Sequence, residues 1–246
     1  MKRVLIILLA VLSTVACKKV TPEMRIAQMA DYMAEKENVH SAKLSQYEGD
    51  KRVDYLTLQL VKDLAADDLW SLENAGENSL VAEFLGKSKS DSQLTLLSAS
   101  LDDPDACATI LSILEAFRDL KISHKNDIQV LFYSSAQDST GQSGLDAINQ
   151  ELDESGDFFA FDIELSTLSS LPVHTFVVSD KRDFVSKMAD VIPPYLEPLG
   201  DYRIMQGTYP DPAWPLKGPV YRYALSKNEL AKDAAAVAAF TFLLNF

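Results

Sequence analysis

The chain has 246 residues, with 23 Lys and Arg against 36 Asp and Glu, a formal charge of −13. That length suits one well-packed domain and is thin for two. The acidic excess repels phosphate backbones and anionic head groups, so nucleic acid is disfavoured as a partner.

The chain opens with Met1-Lys-Arg, an apolar run from Val4 to Leu12 too short to span a bilayer comfortably, and Ser13-Thr-Val-Ala before Cys17. Small residues ahead of one Cys resemble a bacterial lipobox. Residues 1–17 are therefore expected to be a lipoprotein signal, with Cys17 lipidated and the chain anchored to the cell envelope, on the periplasmic side or at the outer membrane. An ordinary cleaved signal peptide is the alternative. Loss of Lys2 and Arg3 takes the charge from −13 to −15. Besides the lipidated Cys17 only Cys107 then remains, so no intrachain disulfide can form and the core must carry stability.

Residues 18–46 are polar, with a helical pattern from Pro22 to Lys36, and are expected to be a tether ending in a surface helix. The domain is expected over 47–246. A helix is predicted from Val53, and a strand over Asn78–Leu85 stopped by Gly86, with Lys87 to Gln93 as a hairpin loop. A buried strand over Thr95–Leu101 follows, then the acidic loop Asp102-Asp-Pro-Asp105. The spacing of Ile110, Leu111, Ile113, Leu114, Phe117 and Leu120 predicts a helix to about Leu120, capped by Asp103 or Asp105.

A second buried strand, Ile128–Tyr133, leads to Ser134-Ser-Ala-Gln137. Further on are a short helix over Leu145–Leu152, strands over Phe158–Leu165 and Pro172–Val178, and a helix from Arg182 ended by Pro193-Pro194. A proline-rich loop, a strand over Val220–Leu225 and a closing helix over Asn228–Leu244 complete the chain. Strands separated by helical segments predict a three-layer α/β/α sandwich with a mixed, mostly parallel sheet.

The order of these elements, from Tyr47 to Phe246, resembles the zinc-dependent aminopeptidase and glutaminyl cyclase superfamily. Thr95–Asp102 resembles the strand that ends in a His-x-Asp zinc motif. Asp105 to Glu115 is similar to the family's Asp-bearing helix start, Ile128–Gln137 to the strand entering a Glu-Glu pair, and Phe161-Asp162 to the strand with a later Asp ligand. The resemblance implies two zinc ions held by two His and three carboxylates, with a further Glu as general base.

Measured against that set, this sequence keeps acids at Asp105 and Asp162 only. Ser100 stands at the first His position, Ala136 and Gln137 at the Glu-Glu pair, and the last His is missing from the loop around Pro212. The chain has three histidines: His40, His124 and His174. His40 falls in the polar N-terminal segment. His124 precedes a strand, on the side where a parallel strand begins, and His174 reads as a packed residue inside a strand. Ligands in such a sheet belong beyond the carboxyl ends of the strands.

No catalytic residue and no resident metal or cofactor are therefore expected, and the resemblance carries over the fold and not the reaction. The expected function is a non-catalytic, membrane-anchored lipoprotein with a peptide, protein or small-ligand partner at the old active-site face. One alternative is a residual metallohydrolase in which Asp105 and Asp162 hold zinc, aided by Gln137, Asp138 or Ser100. The other is a structural envelope subunit whose cleft is filled.

Several local signals have both a functional and a plain reading. Asp102, Asp103 and Asp105 suit a hard cation, or a cap with two solvated acids. Cys107 sits near a helix N-terminus, where a thiolate is favoured, or is simply a buried small residue. Gly141-Gln-Ser-Gly144 does not match a nucleophile elbow. Tyr195, Tyr202, Tyr209, Trp214, Tyr221 and Tyr223 make the C-terminal third aromatic, with Tyr209 and Trp214 as candidate ligand contacts. A proline-stiffened loop over the sheet end is the competing reading.

Overall fold

The computed structural model describes residues 20–36, 39–64, 69–74, 79–84, 86–87, 94–134, 160–169, 171–179, 188–207 and 220–244. Within them lie eight strands: β1 (Leu69–Asn74), β2 (Leu80–Phe84), β3 (Leu94–Ser100), β4 (Asp127–Tyr133), β5 (Ala160–Ser166), β6 (Thr175–Ser179), β7 (Arg203–Gly207) and β8 (Val220–Ala224). They join in one sheet of order β1-β2-β4-β3-β5-β8-β6-β7. The pairings β3–β4, β3–β5, β5–β8 and β6–β7 are parallel, and β1–β2, β2–β4 and β6–β8 are antiparallel. Helices flank this sheet, so the chain forms the expected α/β sandwich with a mixed, mostly parallel sheet.

The helices are α1 (Pro22–Glu35), α2 (Val39–Leu44), α3 (Asp50–Leu64), α4 (Pro104–Asp119), the one-turn α5 (Pro193–Leu196) and α6 (Leu230–Leu244). Alternation along the central strands sends Leu97, Ala99, Val130, Phe132, Ile163, Leu165, Tyr221 and Tyr223 into one apolar cluster with α1, α4 and α6. All ten residues from Asp233 to Phe242 are buried. This is why the closing helix is apolar nearly all round.

Helix α4 shows how local sequence sets its ends. Asp103 caps it, with Pro104 at the first position, where a missing N–H costs nothing. At the other end Leu120 is the C-cap and Lys121 adopts φ 51°. Ile122 N donates to Phe117 O at 2.8 Å and Lys121 N to Arg118 O at 3.0 Å, a Schellman closure made without glycine. Gly86 follows β2 where the chain passes the loop before β4. A Cβ there would lie 2.4 Å from Lys125 O, so the close approach requires glycine.

Four expectations are corrected. Helices Pro22–Glu35 and Val39–Leu44, in the segment expected as a tether, pack into the core. Ile26, Met29 and Met33 of α1 and Leu44 of α2 are at most 2% exposed. Each such burial contributes about 1.5–3 kcal/mol. Lys87–Gln93 does not close a hairpin, because β2 and β3 flank β4 on opposite sides. Strands β1 and β7 were not expected, since neither Leu69–Asn74 nor Arg203–Gly207 carries a strong apolar run. Pro193-Pro194 opens α5 rather than only ending the helix before it, of which residues 188–191 are described as helical. The helix expected over Leu145–Leu152 lies outside the described residues.

Candidate functional site

The carboxyl ends of the parallel strands meet along one edge of the sheet. Ser100 of β3 pairs with Tyr133 of β4, and Ser166 of β5 pairs with Ala224 of β8. The loop 101–103 leaves this edge to enter α4. Arg52 of α3 holds it by donating to Leu101 O, and its other nitrogen reaches Tyr47 O at 2.6 Å.

At this edge Asp103 is buried, 1% exposed, and its two oxygens take four donors. Oδ1 accepts Ala106 N at 3.1 Å and Thr167 Oγ1 at 2.9 Å. Oδ2 accepts Thr167 N at 2.6 Å and the Ser166 hydroxyl at 3.3 Å. The carboxylate is spent on capping α4 and fixing the end of β5.

The two acids retained from the resemblance are not brought together. Asp105 lies in the first turn of α4, but it is not the cap, and its Oδ1 accepts the Ser41 hydroxyl of α2 on the helical layer. Asp162 is the third residue of β5, in register with Leu96 and Val220, four residues short of Ser166. Its place in the strand is therefore four residues before the last residue of β5. Ser100 does reach the edge, where its hydroxyl accepts Asp102 N at 3.2 Å. Cys17, Ala136, Gln137, Tyr209, Pro212, Trp214 and the 141–144 turn lie outside the described residues.

The three imidazoles are scattered. His40 is buried between α2 and α4, with Nε2 3.1 Å from Glu115 Oε2 and Nδ1 3.0 Å from the Tyr55 hydroxyl. His124 lies in the loop before β4, its Nδ1 2.8 Å from Asn126 O. His174 departs from expectation. It precedes β6 rather than lying within it, has φ 56°, and is set between Glu229 at 3.0 Å and Asp233 at 3.3 Å. Because β6 runs antiparallel to β8, with Phe176 opposite Tyr223, His174 sits just beyond the carboxyl end of β8.

Asp233 is fully buried and is held by the Tyr223 hydroxyl at 2.5 Å and Ser226 N at 2.6 Å. Burial raises its carboxyl above the ordinary aspartate range, against the pull of those bonds and of His174. The same burial, with Asp233 alongside, pushes the Tyr223 phenol far up, so Tyr223 stays a hydrogen-bond donor.

Other readings are decided in the same way. Cys107 is buried and donates to Ser100 O at 3.2 Å, and burial pushes its thiol well up, so it is no nucleophile. Asp102 is exposed, Asp103 is a cap and Asp105 faces Ser41, so the acidic loop does not converge on a cation. Tyr202, Tyr221 and Tyr223 are buried in the core.

A cleft of about 210 Å³ opens at the edge, lined among the described residues by Glu164, Ser166, Leu168, Ser169, Arg222 and Tyr223. Glu164 and Arg222 are register partners on the sheet face opposite the main core, and Arg222 Nε lies 2.5 Å from Glu164 Oε2. The Tyr133 hydroxyl donates to Glu164 Oε1 at 3.2 Å. Sequence reasoning missed this pair. Its signal was present, because Asp-Ile-Glu-Leu and Tyr-Arg-Tyr alternate charged and apolar residues with the strand period.

No family model matches the sequence, and no curated protein matches it. Solved structures do. A glutaminyl cyclase from Macrostomum lignano superimposes with a TM-score of 0.60 at 14% identity, over 88% of this chain and 92% of that one. The LapA aminopeptidase of Legionella pneumophila gives 0.54 at 13% identity, over 93% and 73%. LapB from the same organism gives 0.51 at 10%, over 93% and 73%. The fold is that of the aminopeptidases and glutaminyl cyclases.

Among the described residues of this aminopeptidase-like fold, the side chains at the edge do not fit a zinc pair. Each of the three histidines lies apart from the other two, and Asp103, the buried acid at the edge, already accepts four hydrogen bonds. Among the described residues no three His, Cys, Asp or Glu side chains are grouped to hold a metal ion.

Proposed function

We propose that this chain is a non-catalytic relative of the zinc exopeptidases, anchored to a bacterial envelope membrane through Cys17, that binds a small ligand or peptide at the carboxyl edge of its sheet. One observation carries this reading: Asp103, the buried acid nearest the former metal site, has both oxygens saturated by Ala106, Ser166 and Thr167. A carboxylate used in this way has no lone pair directed at a metal, and hydroxyls at Ser100 and Ser166 offer zinc no imidazole. The cleft lined among the described residues by Glu164, Ser166, Leu168, Ser169, Arg222 and Tyr223 is where such a ligand would sit.

The test is metal analysis of the purified protein together with aminopeptidase and glutaminyl cyclase assays. Sub-stoichiometric zinc and no turnover are expected. Stoichiometric zinc with chelator-sensitive turnover overturns the reading in favour of the residual metallohydrolase. The anchor is tested separately, by loss of membrane association in Cys17→Ser.

A further inference from the structure

Helix α1 enters the fold at the end of the sheet opposite the cleft. Near its start Arg25 Nη1 donates to Leu120 O at 2.9 Å, which sets it against the C-terminus of α4. At its other end Met33 and Lys36 line one small pocket with Thr109 and Ser112 of α4 and Leu230 and Ala231 of α6. The helix therefore runs against α4 and α6. Strands β3, β4 and β5 begin at the end where α1 begins, in register at Leu94, Asp127 and Ala160. The α4–β4 loop lies there too, and Lys87 N donates to His124 O within it at 3.1 Å.

The reach of the chain limits how far this end can stand from a lipid on Cys17. Four residue steps separate Cys17 from Thr21, the N-cap of α1. An extended chain spans at most about 3.6 Å per residue, so the start of α1 lies within about 14 Å of the attachment point. Strand β3 has 7 residues, which puts the carboxyl edge about 20 Å further along the sheet.

The surface at this end has the opposite sign to the chain as a whole. Lys87, Lys121 and Lys125 are exposed and Arg25 is half-buried. Arg118 and Asp119 offset each other, with Nε 2.7 Å from Oδ1. The other acids here among the described residues are Glu23 and Asp127, and Asp127 accepts Gly86 N at 2.6 Å. Lys18 and Lys19 directly follow Cys17. Val20 and Met24, 42% and 44% exposed, add an apolar pair at the start of α1. Salt screens exposed charges over about 8 Å, so a surface touching this end meets the local cations and not the acidic excess of the whole chain. Anionic head groups attract Lys and Arg held at the membrane surface, and apolar side chains among them enter the head-group boundary.

We infer that this end of the domain lies on an anionic bilayer, with Val20 and Met24 in the interface, Lys121 and Lys125 on lipid phosphates, and the cleft turned outward. This rests on the anchoring through Cys17 proposed above and gives the anchored domain an orientation.

The experiment uses the lipidated chain in vesicles of phosphatidylglycerol and phosphatidylcholine doped with a lipid that carries a nitroxide near the head group. A fluorophore is attached in turn through Met24→Cys, Ser123→Cys and Leu168→Cys, while Cys107 is buried and stays unlabelled. Quenching at positions 24 and 123 is expected to be at least twofold that at position 168, on the cleft. Lys121→Glu with Lys125→Glu should halve the quenching at position 24 or reduce it further, at an unchanged melting temperature because both lysines are exposed.

Equal quenching at the three positions, stronger quenching at 168, or quenching at 24 that charge reversal leaves unchanged overturns the inference. A chain that carries no lipid by mass and does not float with vesicles overturns the anchoring and this inference with it. A lipidated, floating chain quenched on the cleft side overturns the orientation alone, so the two failures are distinguishable.

Discussion

Asp103 and Thr167 are joined by two hydrogen bonds, Thr167 N to Oδ2 at 2.6 Å and Thr167 Oγ1 to Oδ1 at 2.9 Å, so one carboxylate ties the start of α4 to the end of β5. Loss of that carboxylate removes a helix cap and strands a backbone N–H. Asp103→Ala should cost about 2–4 kcal/mol, the sum of a cap and a buried unsatisfied group. Asp103→Asn, with one acceptor oxygen, should fall between. Asp105→Ala, which gives up the Ser41 contact and one charge near the helix dipole, should cost about 1 kcal/mol or less. Urea unfolding of the three variants checks the order; Asp105 ranking above Asp103 would refute it.

Helix α1 offers a test of whether the N-terminal segment belongs to the fold. Met29 is fully buried and Met24 is 44% exposed on the same helix. Met29→Ala should cost about 2–5 kcal/mol, and Met24→Ala stay within about 0.5 kcal/mol. A tether would show no difference between them in thermal or denaturant unfolding.

Two tyrosines on β8 should respond oppositely to loss of their hydroxyls. The Tyr223 hydroxyl serves buried Asp233, whereas the buried Tyr221 hydroxyl has no hydrogen-bond partner among the described residues. Tyr223→Phe is expected to destabilise by about 1–3 kcal/mol. Tyr221→Phe removes an unpaired polar atom and should be neutral or stabilising. Equal losses in calorimetric unfolding would show that Tyr221 is hydrogen-bonded after all.

Glu115 and Asp233 should leave opposite marks on the pH dependence of stability. The hydrogen bond from His40 holds Glu115 below the ordinary glutamate range despite its burial. Its contribution is therefore present above about pH 4.3, the unfolded value, and lost as pH falls through the folded one. Asp233 is raised by burial, so its contribution is present below about pH 3.9 and lost as pH rises through the folded value. Glu115→Gln should flatten the acid limb of the stability profile, and Asp233→Asn the limb above it. Denaturant midpoints across pH 3–7 read both.

What could be read from the sequence is what depends on neighbours along the chain. The buried runs Thr95–Leu101 and Ile128–Tyr133 became β3 and β4. The Asp-Pro start and apolar face of 104–119 became α4, because caps and periodicity act within a few residues. The scarcity of histidine was visible too, for His40, His124 and His174 are all the chain has. What only tertiary structure decided is where those elements meet. Strand β6 runs against β8 and so carries His174 to the carboxyl edge, a direction its own residues do not encode. Asp103 outranked Asp105 because Thr167, sixty-four residues away, supplied the donors. Glu164 and Arg222 form a cleft because β5 and β8 are neighbours in one register, and register is set by the burial of the opposite face, not by either charge.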